Sequence, residues 1–222
     1  MAASDTTRLL VLGVARLFEP ANGYQLRREL LSWSVESWAS INPGSIYSML
    51  TTLTNQGMLE RFDLPTSGSR PVAVYRSTDA GKKEIVDLVR TAIATVQTFD
   101  RTPFYAGLSL SVSILTRAEV IQLLDERLQN LAVAIAELHS GSHAMDSEGS
   151  SPPHVARMFG FPVALDEAEV AWVSGFRDSV NNGDMLFADD DWSDWEPRAT
   201  DPGWRMMSEA KEYLEKLPAD PK

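Results

Sequence analysis

The chain has 222 residues, 44% of them hydrophobic, so it is long enough to bury a core in one or two domains. The absence of cysteine excludes disulfides and thiolate chemistry, and no apolar run approaches the roughly 20 residues of a membrane helix. The first residues lack a basic segment followed by an apolar one, so we expect no secretion signal and a cytoplasmic protein without membrane segments.

The net charge of −11 is unevenly distributed along the chain. Residues 1–90 carry ten Lys or Arg and nine Asp or Glu, a net charge of +1, whereas the remaining residues carry ten basic and 22 acidic side chains. Binding to nucleic acid requires a local basic surface and not a basic whole protein. The N-terminal part is therefore compatible with a nucleic-acid partner, and its modest charge favours binding at restricted sites over non-specific coating.

The N-terminal part is predicted to contain three helices. Helical spacing of apolar residues predicts the first over residues 7–18 and the second over residues 24–33, with Asn22 as its N-cap. The third covers residues 43–56, because Asn42 is a good N-cap and Pro43 suits the first helical turn. One face of this helix is apolar. The other is short, neutral and rich in hydroxyl groups, and it comprises Ser45, Tyr47, Ser48, Thr51 and Thr52.

The next segment is predicted to be a β-hairpin followed by a long helix. Residues 58–64 and 72–77 have strand character, and a turn rich in Pro, Gly and Ser between them includes Ser69 and Arg70. Thr78 is expected to cap a helix over residues 79–99. Lys82 and Lys83 in its first turn oppose the helix dipole, which indicates a further reason for those charges, such as phosphate contact.

Three pieces of this region resemble the PadR-type transcriptional regulators, a winged helix-turn-helix family. They are LLVLGVARLFEPANGYQLRREL at residues 9–30, PGSIYSMLTTLTNQGML at residues 43–59 and VYRSTDAGKKEI at residues 74–85. The resemblance covers roughly the first 90 residues. It implies that the helix over residues 43–56 is a recognition helix and that the hairpin is the wing. The family commonly has basic residues around positions 51 and 52, where this chain has two threonines.

The remainder of the chain is predicted to be mainly helical. A short helix is expected over residues 104–115, and the capping box from Thr116 to Glu119 opens another that reaches about residue 140. Residues 141–153 are predicted to be a flexible loop. Residues 166–180 are predicted to form a helix with an acidic first turn, ended by Asn182 and Gly183. Residues 184–201 hold seven acids, and a last amphipathic helix is expected over residues 204–217.

The patterns and the resemblance together predict a mainly α fold with a small β-hairpin. The expected parts are a winged helix-turn-helix domain at residues 1–100, a helical C-terminal domain at residues 101–183, to which the resemblance assigns dimerisation, and an acidic tail with tryptophans at residues 184–222. The resemblance implies a homodimeric regulator, usually a repressor, that binds a pseudo-palindromic operator in double-stranded DNA. The expected DNA contacts are Tyr24, Asn42, Ser45, Tyr47, Ser48, Thr51, Thr52, Ser69 and Arg70. The expected dimer contacts are Leu123, Leu124, Leu128, Leu131, Ile135 and Leu138, although their periodicity alone also allows core packing.

Two alternatives of other classes remain open. The protein is a ligand sensor if an apolar pocket that includes Trp33, Trp38 or Trp172 binds a small aromatic effector. The acidic tail is an interaction segment, or an autoinhibitor that folds over the DNA-binding face, if it acts through its charge. We expect no enzyme activity, cofactor or metal: His139 and His143 have helical spacing, but the chain offers no thiolate beside them.

Overall fold

The computed structural model of the chain describes residues 3–65, 71–148, 152–193 and 201–217. Contacts between residues divide the chain into two compact units, one formed by Met1–Val89 with Trp192–Lys222 and the other by Arg90–Asp191. The residues predicted as a separate tail fall partly in each unit. In the described part of the chain, no helix combines the length and the apolar character needed to span a membrane.

The N-terminal unit begins with helix α1 (Ala3–Leu17), strand β1 (Ala21–Asn22), helix α2 (Gly23–Ser32) and the short helix α3 (Val35–Trp38). Helix α4 (Pro43–Asn55), strands β2 (Leu59–Leu64) and β3 (Val72–Ser77) and helix α5 (Asp79–Ala94) follow, and the residues of α5 from Arg90 onward belong to the other unit. The predictions of α2, β2 and β3 are confirmed to within about one residue at each end. The sequence patterns missed β1, whose two residues pair with Val74 and Tyr75 of β3.

The three strands form an antiparallel sheet in the order β1-β3-β2. The β2–β3 pairing runs from Leu59 opposite Ser77 to Leu64 opposite Val72. Leu59, Leu64 and Val74 are buried, β2 packs against α4, and β3 packs against α1. The hairpin is therefore anchored to helices of the same unit.

Helix α5 ends at Ala94, so the prediction that it continues to residue 99 is wrong. Three hydrogen bonds from two polar side chains explain the early end. Arg127 donates to the carbonyl oxygens of Ile93 and Thr95, and Asn130 donates to that of Ala94. Because these carbonyls are satisfied by side chains, the backbone can leave the helix there. Phe99, which was predicted to be the last residue of this helix, is 84% exposed.

The second unit contains α6 (Thr102–Ile114), α7 (Arg117–Glu148), α8 (Pro153–Met158) and α9 (Gly160–Asn182). The capping box at the start of α7 is confirmed: Thr116 N donates to Glu119 Oε2 over 2.9 Å, and Glu119 N donates to Thr116 Oγ1 over 3.3 Å. The predicted loop over residues 141–153 is wrong where it is described, because α7 continues to Glu148 and α8 begins at Pro153.

Helix α9 starts six residues earlier than predicted, so Asp166 is not part of an acidic first turn. Asp166 is instead completely buried, and its carboxylate accepts a hydrogen bond from Arg101 over 2.6 Å. The helix ends where predicted, at Gly183, which adopts a left-handed conformation with φ of 84°. The segment after it packs inside the same unit: Phe187 is buried, and Asp190 pairs with Arg117 over 2.6 Å.

Helix α10 (Pro202–Leu214) belongs to the N-terminal unit and packs against α2 and β1. Asp201 caps it by accepting a hydrogen bond from Gly203 N over 2.8 Å. Met206 and Ala210 are buried in this contact, and the hydroxyl of Tyr213 accepts a hydrogen bond from the side-chain amide of Asn22. The predicted terminal helix is present, and it is part of a folded unit.

Candidate nucleic-acid interface

Helix α4 has one buried face and one open face. Asn42 caps its start, since its Oδ1 accepts a hydrogen bond from Ser45 N over 2.9 Å, and Pro43 occupies the first turn. Ile46, Leu50 and Leu53 have no exposed surface, which fixes the rotation of the helix on the core. The opposite face therefore points outward, with Ser45 partly exposed and Tyr47, Ser48, Thr51 and Thr52 exposed.

The open face of α4 is uncharged, since the helix reads PGSIYSMLTTLTN. Its two threonine hydroxyls are used inside the helix. Thr51 Oγ1 donates to the carbonyl oxygen of Tyr47 over 3.1 Å, and Thr52 Oγ1 donates to that of Ser48 over 3.0 Å. Asn42, predicted to contact DNA, is exposed, but its oxygen is engaged by the N-terminal backbone of α4.

The start of α2 lies beside this face. A Cβ atom added at Gly23 would come within 3.1 Å of Cε1 of Tyr47, so the absence of a side chain lets the tyrosine ring lie against α2. The next residue, Tyr24, is 60% exposed, and Tyr47 is 43% exposed. The structure thus brings the first turn of α2 and the open face of α4 into one surface. Gly23 was not among the predicted site residues, although it is part of the Asn-Gly-Tyr segment in the resemblance.

The described part of the wing carries its cations in ion pairs. Arg61 pairs with Asp63 over 2.8 Å, and Arg76 pairs with Glu60 over 3.0 Å while its guanidinium lies 5.3 Å from the ring centre of Phe62. Because these acids lie on the same hairpin, they neutralise much of its positive potential. The predicted contacts Ser69 and Arg70 lie outside the described residues.

The junction between the wing and α5 is held by hydrogen bonds of the Thr78 backbone and hydroxyl. Thr78 N donates to the carbonyl oxygen of Met58 over 3.1 Å, Thr78 Oγ1 donates to that of Gly57 over 2.7 Å, and Gly81 N donates to Thr78 Oγ1 over 3.0 Å. Lys82, for which the sequence suggested a phosphate, pairs with Asp79 over 3.2 Å. This ion pair within the first helical turn is itself sufficient to explain the position of that lysine.

Helix α10 lies on the other side of α2. Gln25, whose side-chain amide donates to Glu209, projects from α2 at about 200° from Gly23, because successive residues of a helix are about 100° apart. Gly203 of α10 packs against the ring of Phe18. The contact of Gln25 with α10 is thus made on the flank of α2 that faces away from Gly23 and the ring of Tyr47.

The six predicted dimer contacts lie on α7, but they are not equivalent. Leu124 and Leu131 are completely buried by the chain's own residues, so they have no surface to offer to a partner. Leu123, Leu128, Ile135 and Leu138 keep part of their surface exposed. The two buried leucines follow from the packing of α7 against α9, an arrangement that the periodicity of α7 left open.

The three tryptophans proposed for a ligand site are not brought together within one unit. Trp33 donates its indole N–H to Glu29 over 3.0 Å, and Trp38 donates to the carbonyl oxygen of Trp33 over 2.8 Å, so both are packing residues beside α2 and α3. Trp172, in the other unit, is 52% exposed, stacks on Phe176 at 5.0 Å between ring centres, and meets Phe104 edge-on at 6.2 Å.

The chain is similar to a known protein family and to solved structures. Residues 11–87, which run from α1 into α5, match the profile of the family described as the transcriptional regulator PadR-like family. Among solved structures, Bacillus subtilis PadR in complex with operator DNA is 20% identical with a TM-score of 0.34, over 78% of this chain and 98% of that chain. The structure of smu.1604c from Streptococcus mutans UA159 is 18% identical with a TM-score of 0.34, over 76% and 96% of the two chains. A search of curated proteins gave no match. Through residues 11–87, the chain is similar to the PadR-like family of transcriptional regulators.

Proposed function

We propose that the protein is a homodimeric repressor that binds a pseudo-palindromic operator through α4 in the major groove. The observation that carries this proposal is the surface formed by α4 and the first turn of α2. One face of α4 is fixed on the core, and the other presents small polar groups that allow a helix to approach base edges closely. The family match, which contains both helices, supports the same function.

In this proposal, the two tyrosines hold the DNA backbone. Tyr24 and Tyr47 are both exposed, and the ring of Tyr47 lies against Gly23, the residue before Tyr24. Each tyrosine carries a hydroxyl group that can donate to a phosphate oxygen. The start of α2 adds a helix N-terminus, where backbone N–H groups favour anions. Hydrogen bonds to a charged group contribute about 1.5–3 kcal/mol each, which is enough to fix the register of the protein on the duplex.

A second subunit would supply the second half-site. The four partly exposed apolar residues of α7, namely Leu123, Leu128, Ile135 and Leu138, remain the proposed dimer contacts. Two-fold symmetry would place the two α4 helices in major grooves about one helical turn, roughly 34–36 Å, apart. The operator would then be an inverted repeat.

Selection of the full-length protein on random duplexes, at one fixed salt concentration, tests this proposal. We expect enrichment of an inverted repeat. Tyr24→Ala and Tyr47→Ala should each weaken binding to that site about tenfold or more, because each removes a hydrogen bond to a charged group. Tyr105→Ala is the matched control, since Tyr105 is a comparably exposed tyrosine in the other unit. Equal binding by all three variants would remove the tyrosines from the interface.

A separate experiment is required to test whether the protein represses or activates transcription. A reporter gene placed behind the selected operator should be expressed less when the wild-type protein is present. Expression should recover with Tyr47→Ala and should remain low with Tyr105→Ala. Increased expression with the wild-type protein would identify an activator and would contradict the proposed repression.

The aromatic cluster of exposed Trp172, partly exposed Phe176 and buried Phe104 favours one second candidate function, the sensing of a small aromatic effector. A flat ligand can bind to such rings by offset stacking or edge-to-face contact. Tryptophan fluorescence titrated with a panel of aromatic acids and drug-like cations should show saturable quenching that is lost in Trp172→Phe. Quenching that persists in this variant would locate the ligand elsewhere.

A further inference from the structure

The hydroxyl protons of Thr51 and Thr52 are committed to the backbone of their own helix. Each hydroxyl donates to the carbonyl oxygen four residues earlier, at 3.1 Å and 3.0 Å. A hydroxyl group has a single proton to donate, so in this state each oxygen offers lone pairs alone. Both residues are exposed, and they lie one helical turn after Tyr47 and Ser48 on the open face of α4.

This arrangement decides which DNA groups the two threonines can contact. Phosphate oxygens are acceptors, so an oxygen that offers only lone pairs gains nothing from them. The acceptor atoms of guanine in the major groove are read by Arg or Lys, and α4 contains neither. The groups that remain are the methyl group of thymine, which suits the threonine methyl, and the amino groups of adenine and cytosine.

On each threonine, the methyl group is a more constant feature than the hydroxyl group. With Oγ1 turned back to the helix carbonyl, the Cγ2 methyl occupies a different staggered position on the same exposed Cβ. Threonine has two accessible rotamers within a helix, and the bond of Oγ1 to the carbonyl four residues earlier fixes which of them is occupied. In this state the open face of α4 presents two neighbouring methyl groups.

We infer that Thr51 and Thr52 are specificity-determining residues that read thymine 5-methyl groups, so that each operator half-site contains A·T pairs beneath the second turn of α4. The inference rests on the proposed function, because it requires α4 to lie in the major groove. It also explains how a recognition helix without charge can discriminate between sequences: phosphates are held by groups outside this pair, and base identity is read by apolar contact.

Two double variants separate the methyl group from the hydroxyl oxygen. Thr51→Val with Thr52→Val keeps a methyl group at each Cγ2 position and removes the oxygens. Thr51→Ser with Thr52→Ser keeps the oxygens and removes the methyl groups. Both pairs of substitutions are small and lie on an exposed face, so circular dichroism and thermal unfolding should confirm that both variants fold as the wild type does.

The measurement is binding to the selected operator and to the same duplex with deoxyuridine in place of thymine, which lacks the 5-methyl group. Wild type and the Val variant should bind the thymine operator within about twofold of one another and should lose about fourfold for each contacted methyl removed from the DNA. The Ser variant should bind the thymine operator about fourfold or more weakly, and deoxyuridine should change its affinity little.

The opposite pattern would overturn the inference. If the Ser variant binds as the wild type does and the Val variant does not, the hydroxyl oxygens read the DNA. If wild type is insensitive to deoxyuridine at every position, no thymine methyl is contacted. Both results leave the proposed function intact, because an operator has been found. Failure of the wild-type protein to enrich any sequence would overturn the proposed function and the inference together.

Discussion

The side-chain amide of Asn22 donates a hydrogen bond to the hydroxyl of Tyr213 over 2.9 Å, although the two residues are 191 positions apart in the chain. Asn22 also caps α2 and pairs with Val74 of the wing strand β3. One residue thus joins α2, the wing and α10. The family match ends at residue 87, so in this protein a helix far beyond the matched region completes the N-terminal unit.

Docking of α10 predicts that neighbouring methionines respond differently to truncation. Met206 is 1% exposed and Met207 is 51% exposed. Met206→Ala should lower the free energy of unfolding by about 2–3 kcal/mol because it leaves a cavity beside α2, whereas Met207→Ala should change it by less than about 0.5 kcal/mol. Tyr213→Phe should cost about 1 kcal/mol, the usual contribution of one hydrogen bond. Urea unfolding followed by circular dichroism measures all three, and equal effects of the two methionines would contradict docking.

The sequence predicted those elements that are set by local signals. Asn22 and Asn42 cap α2 and α4 as expected, and the strand alternation predicted β2 and β3. The predictions were wrong where contacts with residues distant in the sequence determine the secondary structure. Strand β1 exists only through its pairing with β3, and α5 ends early because Arg127 satisfies its last carbonyl groups.

The same reasoning applies to the candidate site. Exposure of Tyr47, Ser48, Thr51 and Thr52 followed from the helical period of α4, which can be read directly from the sequence. The contact between Gly23 and Tyr47 could not be predicted in that way, since it depends on how α2 and α4 pack.

The predicted loop after residue 140 is a further error of the fold prediction. Helix α7 continues through Gly141, and Phe159 lies 3.8 Å from the position of a Cβ at that glycine.

Gly81 is predicted to be intolerant of any side chain. A Cβ atom at this position would lie 2.0 Å from the carbonyl oxygen of Met58, far inside van der Waals contact, and the obstacle is backbone. Gly81→Ala should therefore lower the free energy of unfolding by about 3 kcal/mol and move the wing relative to α5. Gly175→Ala is the control, because nothing lies within 4 Å of its Cβ position. In an exposed stretch of α9 it should be neutral or stabilising by up to about 1 kcal/mol. Similar thermal stability of both variants would show that the junction is not close-packed.

Arg127 is predicted to be the most sensitive charged residue of the second unit. Its side chain is 1% exposed, its Nε donates to Glu169 over 2.7 Å, and its guanidinium carbon lies 3.6 Å from the ring centre of Phe104. Arg127→Leu removes these contacts and leaves carbonyl oxygens at the end of α5 without their donor. We expect a loss of about 3–5 kcal/mol. Arg177→Leu, which breaks a partly exposed pair with Asp125, should cost much less, because solvent screens that pair. Chemical denaturation distinguishes the two, and a small effect of Arg127→Leu would mean that the buried arginine is dispensable for folding.

The capping carboxylate of Glu119 predicts a specific loss of stability in acid. Its hydrogen bonds from Thr116 and Arg90 lower the pKa of Glu119 from 4.5 to about 2. The folded state binds this proton less readily than the unfolded state, so the contribution is complete above pH 4.5 and is lost as pH falls from 4.5 towards 2. Because the side chain is 33% exposed, solvent reduces the effect to about 1 kcal/mol. Glu119→Gln should be less stable than wild type at pH 7 and equally stable near pH 2, whereas Glu126→Gln, on the exposed side of the same helix, should follow the wild-type curve. A constant difference between Glu119→Gln and wild type across this range would show that the charge of Glu119 does not contribute to the cap.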